Sequence, residues 1–237
     1  MTGALQAYID RDAERRAAAK LDILSAIDKN RLPPPDGVPD ADLYRPIFEG
    51  LTIGRLQPWL SKPHGLRTAL SPDRVYMLLQ LAGIAPPGVA FELGVYTGGI
   101  TRALLDMNKF DRVVAFDTFC GISGSSSVDL HSDGDYNAGD VSAYIAGAEI
   151  VAGRVPETLQ GRFDEVSFAH LDMDVYEPTR DALACLWPLM VRDGIIVLDD
   201  YGFWSTPGIK RAVDEFPCGQ KLYLPTGQMV IFNRGEE

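Results

Sequence analysis

Cysteine is scarce in this chain: Cys120, Cys185 and Cys218 are the only three in 237 residues, and they are widely spaced. They make neither a disulfide framework nor a zinc pattern, which points to a soluble protein of a reducing compartment, the cytoplasm. Histidine is equally scarce, and His64, His131 and His170 do not stand at zinc-like spacing to one another. No apolar run approaches the roughly 18 residues of a membrane span. The segment from Met1 to Arg16 alternates charged and apolar residues and lacks a signal-peptide core. Basic charge is in deficit: 22 Lys and Arg face 33 Asp and Glu, a net charge of −11. A chain of that sign repels nucleic acid and anionic membranes, so neither is expected as a partner. Internal repeats and low-complexity tracts are missing too. What is present in quantity is apolar content, 46% of residues, enough for a full core.

The length fits one domain with an appendage. Leu5, Tyr8, Ile9, Ala13, Ala17, Leu21, Leu24 and Ile27 recur near helical spacing, so residues 4–29 read as an amphipathic helix. Pro33-Pro34-Pro35 ends it, and residues 33–46 read as a linker or arm. Residues 1–70 are therefore expected to form a packing, lid or oligomerisation element, and a homo-oligomer is the expected assembly. From residue 71 the order is regular. Ser71-Pro72-Asp73 opens a helix running to about Leu81. Val89–Leu93 reads as a strand, Gly99–Met107 as a helix and Arg112–Phe116 as a strand. A polar loop over 120–139 precedes a helix from about Asp140. Glu149–Ala152 and Val166–Leu171 read as strands, 178–190 as a helix, Ile195–Leu198 as a strand and 208–215 as a helix. The chain closes with a hairpin over 221–233. Strand–helix alternation predicts an α/β, Rossmann-like fold over 71–237: a mostly parallel sheet, helices on both faces, and an antiparallel C-terminal edge.

Two features carry chemistry. The first is Phe91-Glu92-Leu93-Gly94-Val95-Tyr96-Thr97-Gly98-Gly99, a Gly-rich link from the first strand to its helix. Glycines there allow a tight turn and close backbone approach to a ligand. The spacing is not G-x-G-x-x-G, which argues against a nicotinamide oxidoreductase. Glu92 would repel a pyrophosphate but suits a cationic ligand, and S-adenosylmethionine carries a sulfonium and an ammonium. Asp117, ending the second strand, is placed to accept from ribose hydroxyls. The second feature is acid at two strand ends: Asp172 and Asp174 after one strand, Asp199 and Asp200 after the next. Asp172, Asp199 and Asp200 would repel one another unless a cation joins them. All-oxygen ligands select a hard divalent ion such as Mg²⁺. Such an ion can bind a substrate hydroxyl and lower its pKa, leaving Asp174 free as the base. The same residues also read as solvated acids capping the next helices. His170 is expected to face the core, and His64 and His131 to lie in polar loops. Cys120 is expected to be a buried packing thiol.

The segments FELGVYTGG (91–99), DTFCG (117–121), HLDMDVYEPT (170–179), LDDYG (198–202) and GIKRAVDEF (208–216) resemble the macrocin O-methyltransferase family. Those enzymes use S-adenosylmethionine and a divalent metal to methylate sugar hydroxyls of natural products. The resemblance spans about residues 70–235 and implies a class I methyltransferase fold with a seven-stranded sheet. It implies Asp172, Asp199 and Asp200 as metal ligands and Asp174 as base. Glu92, Gly94, Thr97, Gly98, Asp117, Thr118 and Asp172 would line the cofactor site, with Ser142 and Arg154 on the adenine side. Met173 and Cys120 depart from the family pattern, and the 122–139 loop and first 70 residues match none of it. The expected acceptor is a small glycosylated natural product; a phenol or catechol is the alternative within the class.

Overall fold

The computed structural model describes residues 66–161 and 163–235. The expected N-terminal helix and arm, His64, and nearly all of the segment 1–70 lie outside the described residues. Ser71 takes the cap position of helix α1 (Pro72–Ile84) in extended backbone but without a side-chain bond, and Pro72 supplies the first turn. Strand β1 (Val89–Leu93) leads into α2 (Gly99–Asp106), and β2 (Arg112–Asp117) follows. Next come β3 (Glu149–Ala152), β4 (Val166–Leu171) and α3 (Tyr176–Leu186). Strand β5 (Met190–Leu198), α4 (Pro207–Glu215), β6 (Gln220–Tyr223) and β7 (Met229–Phe232) close the chain.

The strands form one seven-stranded sheet in the order β3-β2-β1-β4-β5-β7-β6. Neighbours from β3 to β5 pair in parallel, and β7 is antiparallel to both β5 and β6. The expected α/β, class I methyltransferase-type sheet is therefore what the chain forms. Side chains alternate between the two faces of each strand, and both faces are covered. Phe91, Phe116, Leu171 and Leu198 pack with Leu183 and Leu186 of α3 and Val213 of α4. Ala90, Val113, Phe168 and Val197 pack with Leu78 of α1 and Leu104 of α2. The strand order reverses between β1 and β4, and their carboxyl ends open the crevice where ligands of such sheets bind.

Three boundaries differ from the sequence reading. The helix expected from about Asp140 is a run of turns. Val141–Ile145 closes one turn, with Tyr144 N–H and Ile145 N–H both donating to Val141 O. Gly139 and Gly147, both at positive φ, bound the segment to seven residues, under two full helical turns, and so short an isolated helix is marginal. The helix expected over 178–190 starts at Tyr176 and ends at Leu186, because Pro188 redirects the chain into a 3₁₀ turn, Trp187–Leu189. Strand β5 starts at Met190 rather than Ile195, and its register against β4 shifts between Val166 and Phe168. That irregularity, with Asp193 at φ 62, hides the early half of the strand from a period-two pattern.

Candidate active site

A cavity of about 410 Å³ opens at the switch point, within the size range of small-molecule sites. The β1–α2 loop forms one wall. Gly94 sits at φ +89, and a Cβ there would stand 1.8 Å from the carbonyl oxygen of Asp172. Only glycine lets the two strand ends approach that closely. Asp117 ties this wall to the next. Its Oδ2 accepts from the Val95 and Tyr96 N–H groups at 2.7 and 3.0 Å, and its Oδ1 accepts from Phe119 N–H at 2.7 Å. The residue read as a ribose acceptor thus also shapes the loop, since a carboxylate can hold several donors at once. Thr118 lines the cavity and closes its own loop by donating to Gly121 O at 2.6 Å.

Of the other expected cofactor residues, Gly94, Asp117, Thr118 and Asp172 line the cavity. Thr97 points away to donate to Arg67 O at 2.7 Å. Gly98, at φ +83, packs under the loop against Ile145. Ser142 and Arg154 are exposed and are not part of the cavity wall. Glu92 lies one layer behind the wall, 2% exposed, accepting from Thr101 Oγ1. Burial raises its pKa to about 8, the Thr101 bond opposing that and the nearby Asp117 charge adding to it.

Among the described residues the acids fall in two overlapping groups, neither of which is the expected trio Asp172, Asp199 and Asp200. Single oxygens of Asp172, Asp174 and Asp200 lie within 4.8 Å of one another, and so do ligand atoms of His170, Asp172 and Asp199. Asp172 belongs to both. Asp174 holds φ 62, a left-handed conformation that Asp tolerates. Among the described residues one cation faces the cluster. Arg74 of α1 donates from its Nε to Asp199 Oδ1 at 3.2 Å, reaches Asp199 Oδ2, bonds Asp200 Oδ1 at 2.5 Å, and lies 4.7 Å from the Phe203 ring centre. Gln228 Nε2 also donates to Asp199 Oδ1, at 2.8 Å. Four carboxylates against one guanidinium leave an excess of negative charge. Burial, reinforced by Asp200, raises Asp172 to about 7. Burial, then Asp172 and Asp200, raises Asp174 to about 10. At Asp200 burial opposes ionisation, but Arg74 and hydrogen bonds from its two neighbours outweigh it and lower the pKa. Burial and mutual repulsion favour the protonated carboxyls of Asp172 and Asp174, and a divalent cation would favour their ionised forms. The oxygen donors fit a hard cation.

Sequence reasoning missed Arg74, Gln228 and Tyr136. Arg74 is the one basic residue of α1, a signal that could have been read. Tyr136 stands in the polar loop, its ring 5.4 Å from that of His131 and 5.7 Å from that of Tyr96. Burial and then the charges of Asp174, Asp200 and Asp172 raise its pKa. His131 and Tyr136 both line the cavity. The loop reaches the helices through Asp129, which accepts from Tyr176 N–H at the start of α3 at 2.9 Å. Cys120 is exposed rather than buried, because its loop turns outward past Asp117. His170 faces the core as expected, fully buried.

The fold is that of a class I methyltransferase. Residues 91–201 match the family model described as a methyltransferase domain. The structure is similar to that of the O-methyltransferase NovP, with a TM-score of 0.59 and 21% identity, covering 81% of this chain and 98% of that one. It is also similar to CalS11, a calicheamicin methyltransferase, with a TM-score of 0.60 and 21% identity over 78% of this chain and 92% of that one. No curated protein matches the sequence. No helix among the described residues is long and apolar enough to cross a membrane.

Proposed function

We propose that this chain is an S-adenosylmethionine-dependent O-methyltransferase, assisted by a divalent cation and acting on a hydroxyl of a small natural product. The observation that carries this reading is one cavity joining the Gly94–Asp117 wall to Asp172, Asp174 and Asp200. Gly94, Asp117 and Thr118 would hold the cofactor, with Glu92 behind them. When bound, it supplies an electrophilic methyl group: the oxygen–carbon bond forms as the sulfur–carbon bond breaks, and a neutral thioether leaves. Asp172, Asp199 and Asp200 would hold Mg²⁺ or a similar ion, which would supply positive charge to acidify a substrate hydroxyl. Asp174 would accept the hydroxyl proton. Arg74 orients Asp199 and Asp200, and the Tyr96, His131 and Tyr136 rings wall off water.

The resemblance to macrocin-type enzymes and the polar lining of Ser123, Ser205 and Thr206 support a sugar hydroxyl. The aromatic wall supports a second reading, a phenol or catechol acceptor. Calorimetry with S-adenosylmethionine, followed by turnover on both acceptor classes with Mg²⁺ and with EDTA, tests these readings. No cofactor binding at millimolar concentration refutes the activity. Turnover indifferent to EDTA refutes the metal's role, and the preferred acceptor class decides between the two readings.

A further inference from the structure

Behind the acid cluster lies a histidine with nothing to do in the chemistry above. His170 pairs with Glu92 across β1 and β4 and with Val197 across β4 and β5. It is 0% exposed, and neither ring nitrogen has a hydrogen-bond partner. A buried imidazole without partners forfeits the hydrogen bonds it had in water, a cost that native structures rarely leave unanswered. The ring is not placed at random. Nε2 looks toward Asp199 Oδ1 at 3.9 Å, and Nδ1 looks toward Glu92 Oε1 at 3.7 Å. Ligand atoms of His170, Asp172 and Asp199 lie within 4.8 Å of one another; donors about 2.1 Å from one ion stand at most about 4.2 Å apart, so a small inward shift of these side chains would close them on one ion.

We infer that His170 Nε2 is a nitrogen ligand of the cation held by Asp172 and Asp199, so that this site prefers a borderline ion, such as Co²⁺ or Zn²⁺, to Mg²⁺. Three features of the surroundings fit that assignment. A metal-bound imidazole commonly donates its other N–H to a carboxylate, and Glu92 stands on the Nδ1 side. Ligating carboxylates are themselves hydrogen-bonded, as Asp199 is by Gln228 and Arg74. Imidazole nitrogen raises affinity for transition ions over alkaline-earth ions. The assignment also leaves Asp174 outside the inner set, free to take a proton.

This inference rests on the metal-assisted reading of the same site, and the experiment separates the two. Full-length protein freed of metal with EDTA is loaded with Mn²⁺ and probed by electron spin echo for ¹⁴N modulation. Calorimetric titrations with Co²⁺ and Mg²⁺ are run on wild type, His170→Asn and Glu92→Gln, with melting curves checking that each variant folds. The expected result is ¹⁴N modulation in wild type and none in His170→Asn. Co²⁺ affinity should fall roughly 100-fold in His170→Asn and roughly tenfold in Glu92→Gln, while Mg²⁺ affinity should move less than about threefold in either variant. Mn²⁺ binding without ¹⁴N modulation in wild type overturns the inference and leaves the metal-assisted reading intact, even if neither variant folds. Absence of any divalent-ion binding overturns both.

Discussion

Gly94→Ala isolates the contact that makes the cavity. At φ +89 an L side chain is strained, by roughly 1–2 kcal/mol for a left-handed residue. The new Cβ would also meet the Asp172 carbonyl oxygen at 1.8 Å and its carbonyl carbon at 2.7 Å. Those are backbone atoms, so relief requires the end of β4 or the β1 loop to move. Comparable overpacking costs about 1–3 kcal/mol, for a sum of about 2–5 kcal/mol. In a chain of this length that lowers the melting temperature by roughly 4–20 °C. Gly139→Ala is the control: φ is +69, and nothing lies within 4 Å of its Cβ position. It carries the backbone strain alone, about 1–2 kcal/mol, and leaves the cavity alone. Thermal melts of both variants, with calorimetric binding of S-adenosylmethionine, read the difference. Gly94→Ala should lose stability beyond its control and bind the cofactor at least tenfold more weakly, because the displaced segment carries Asp172. Equal melting temperatures and an unchanged cofactor affinity would refute the claim that close approach of the two strand ends builds the site.

Asp117→Asn keeps the shape but turns one oxygen into a donor facing N–H groups of Val95, Tyr96 or Phe119; a stability loss of about 1–3 kcal/mol is expected in chemical denaturation, with cofactor affinity falling as the loop loosens. Glu92 has a folded-state pKa of about 8, above its unfolded value, so its contribution is fully present at low pH and is lost as pH rises toward 8. Metal-free wild type should therefore lose stability relative to Glu92→Gln between about pH 4.5 and 8, by at most about 1.4 kcal/mol per pH unit, and the difference should level off above pH 8; parallel denaturation-versus-pH curves for the two proteins would contradict this. Arg74→Met removes the cation that faces Asp199 and Asp200 and should cost about 3 kcal/mol in EDTA, with part of the loss restored by a millimolar divalent cation; a melt insensitive to added cation would show that the acids do not share one.

The elements with the clearest local signals were legible in the sequence. Pro72 after Ser71, the apolar runs of β1, β2 and β4, and the acids closing β4 and β5 all follow from backbone chemistry and side-chain periodicity. The turns at 141–145 and the first half of β5 were not legible. One segment is confined to seven residues between two left-handed glycines, and the other breaks its alternation at Asp193 and Gly194. Within the site, the residue types of the acid cluster were readable, but their grouping was not. Asp199 faces Arg74, Gln228 and His170, whereas Asp174 faces Asp172 and Asp200.

By itself, the sequence determined the class of fold and the chemistry on offer: glycines where two strand ends meet, and carboxylates at the carboxyl edge of a parallel sheet. Those follow from local rules, since strand period, helix breakers and residue type act over a few positions. Only the tertiary structure decided what each acid is paired with. Arg74, Gln228 and His170 lie far from Asp199 along the chain or on other strands, and the order of the strands brings them together. Burial at that junction then sets which carboxyls keep their protons, because charge is costly where water is excluded and partners are fixed by packing.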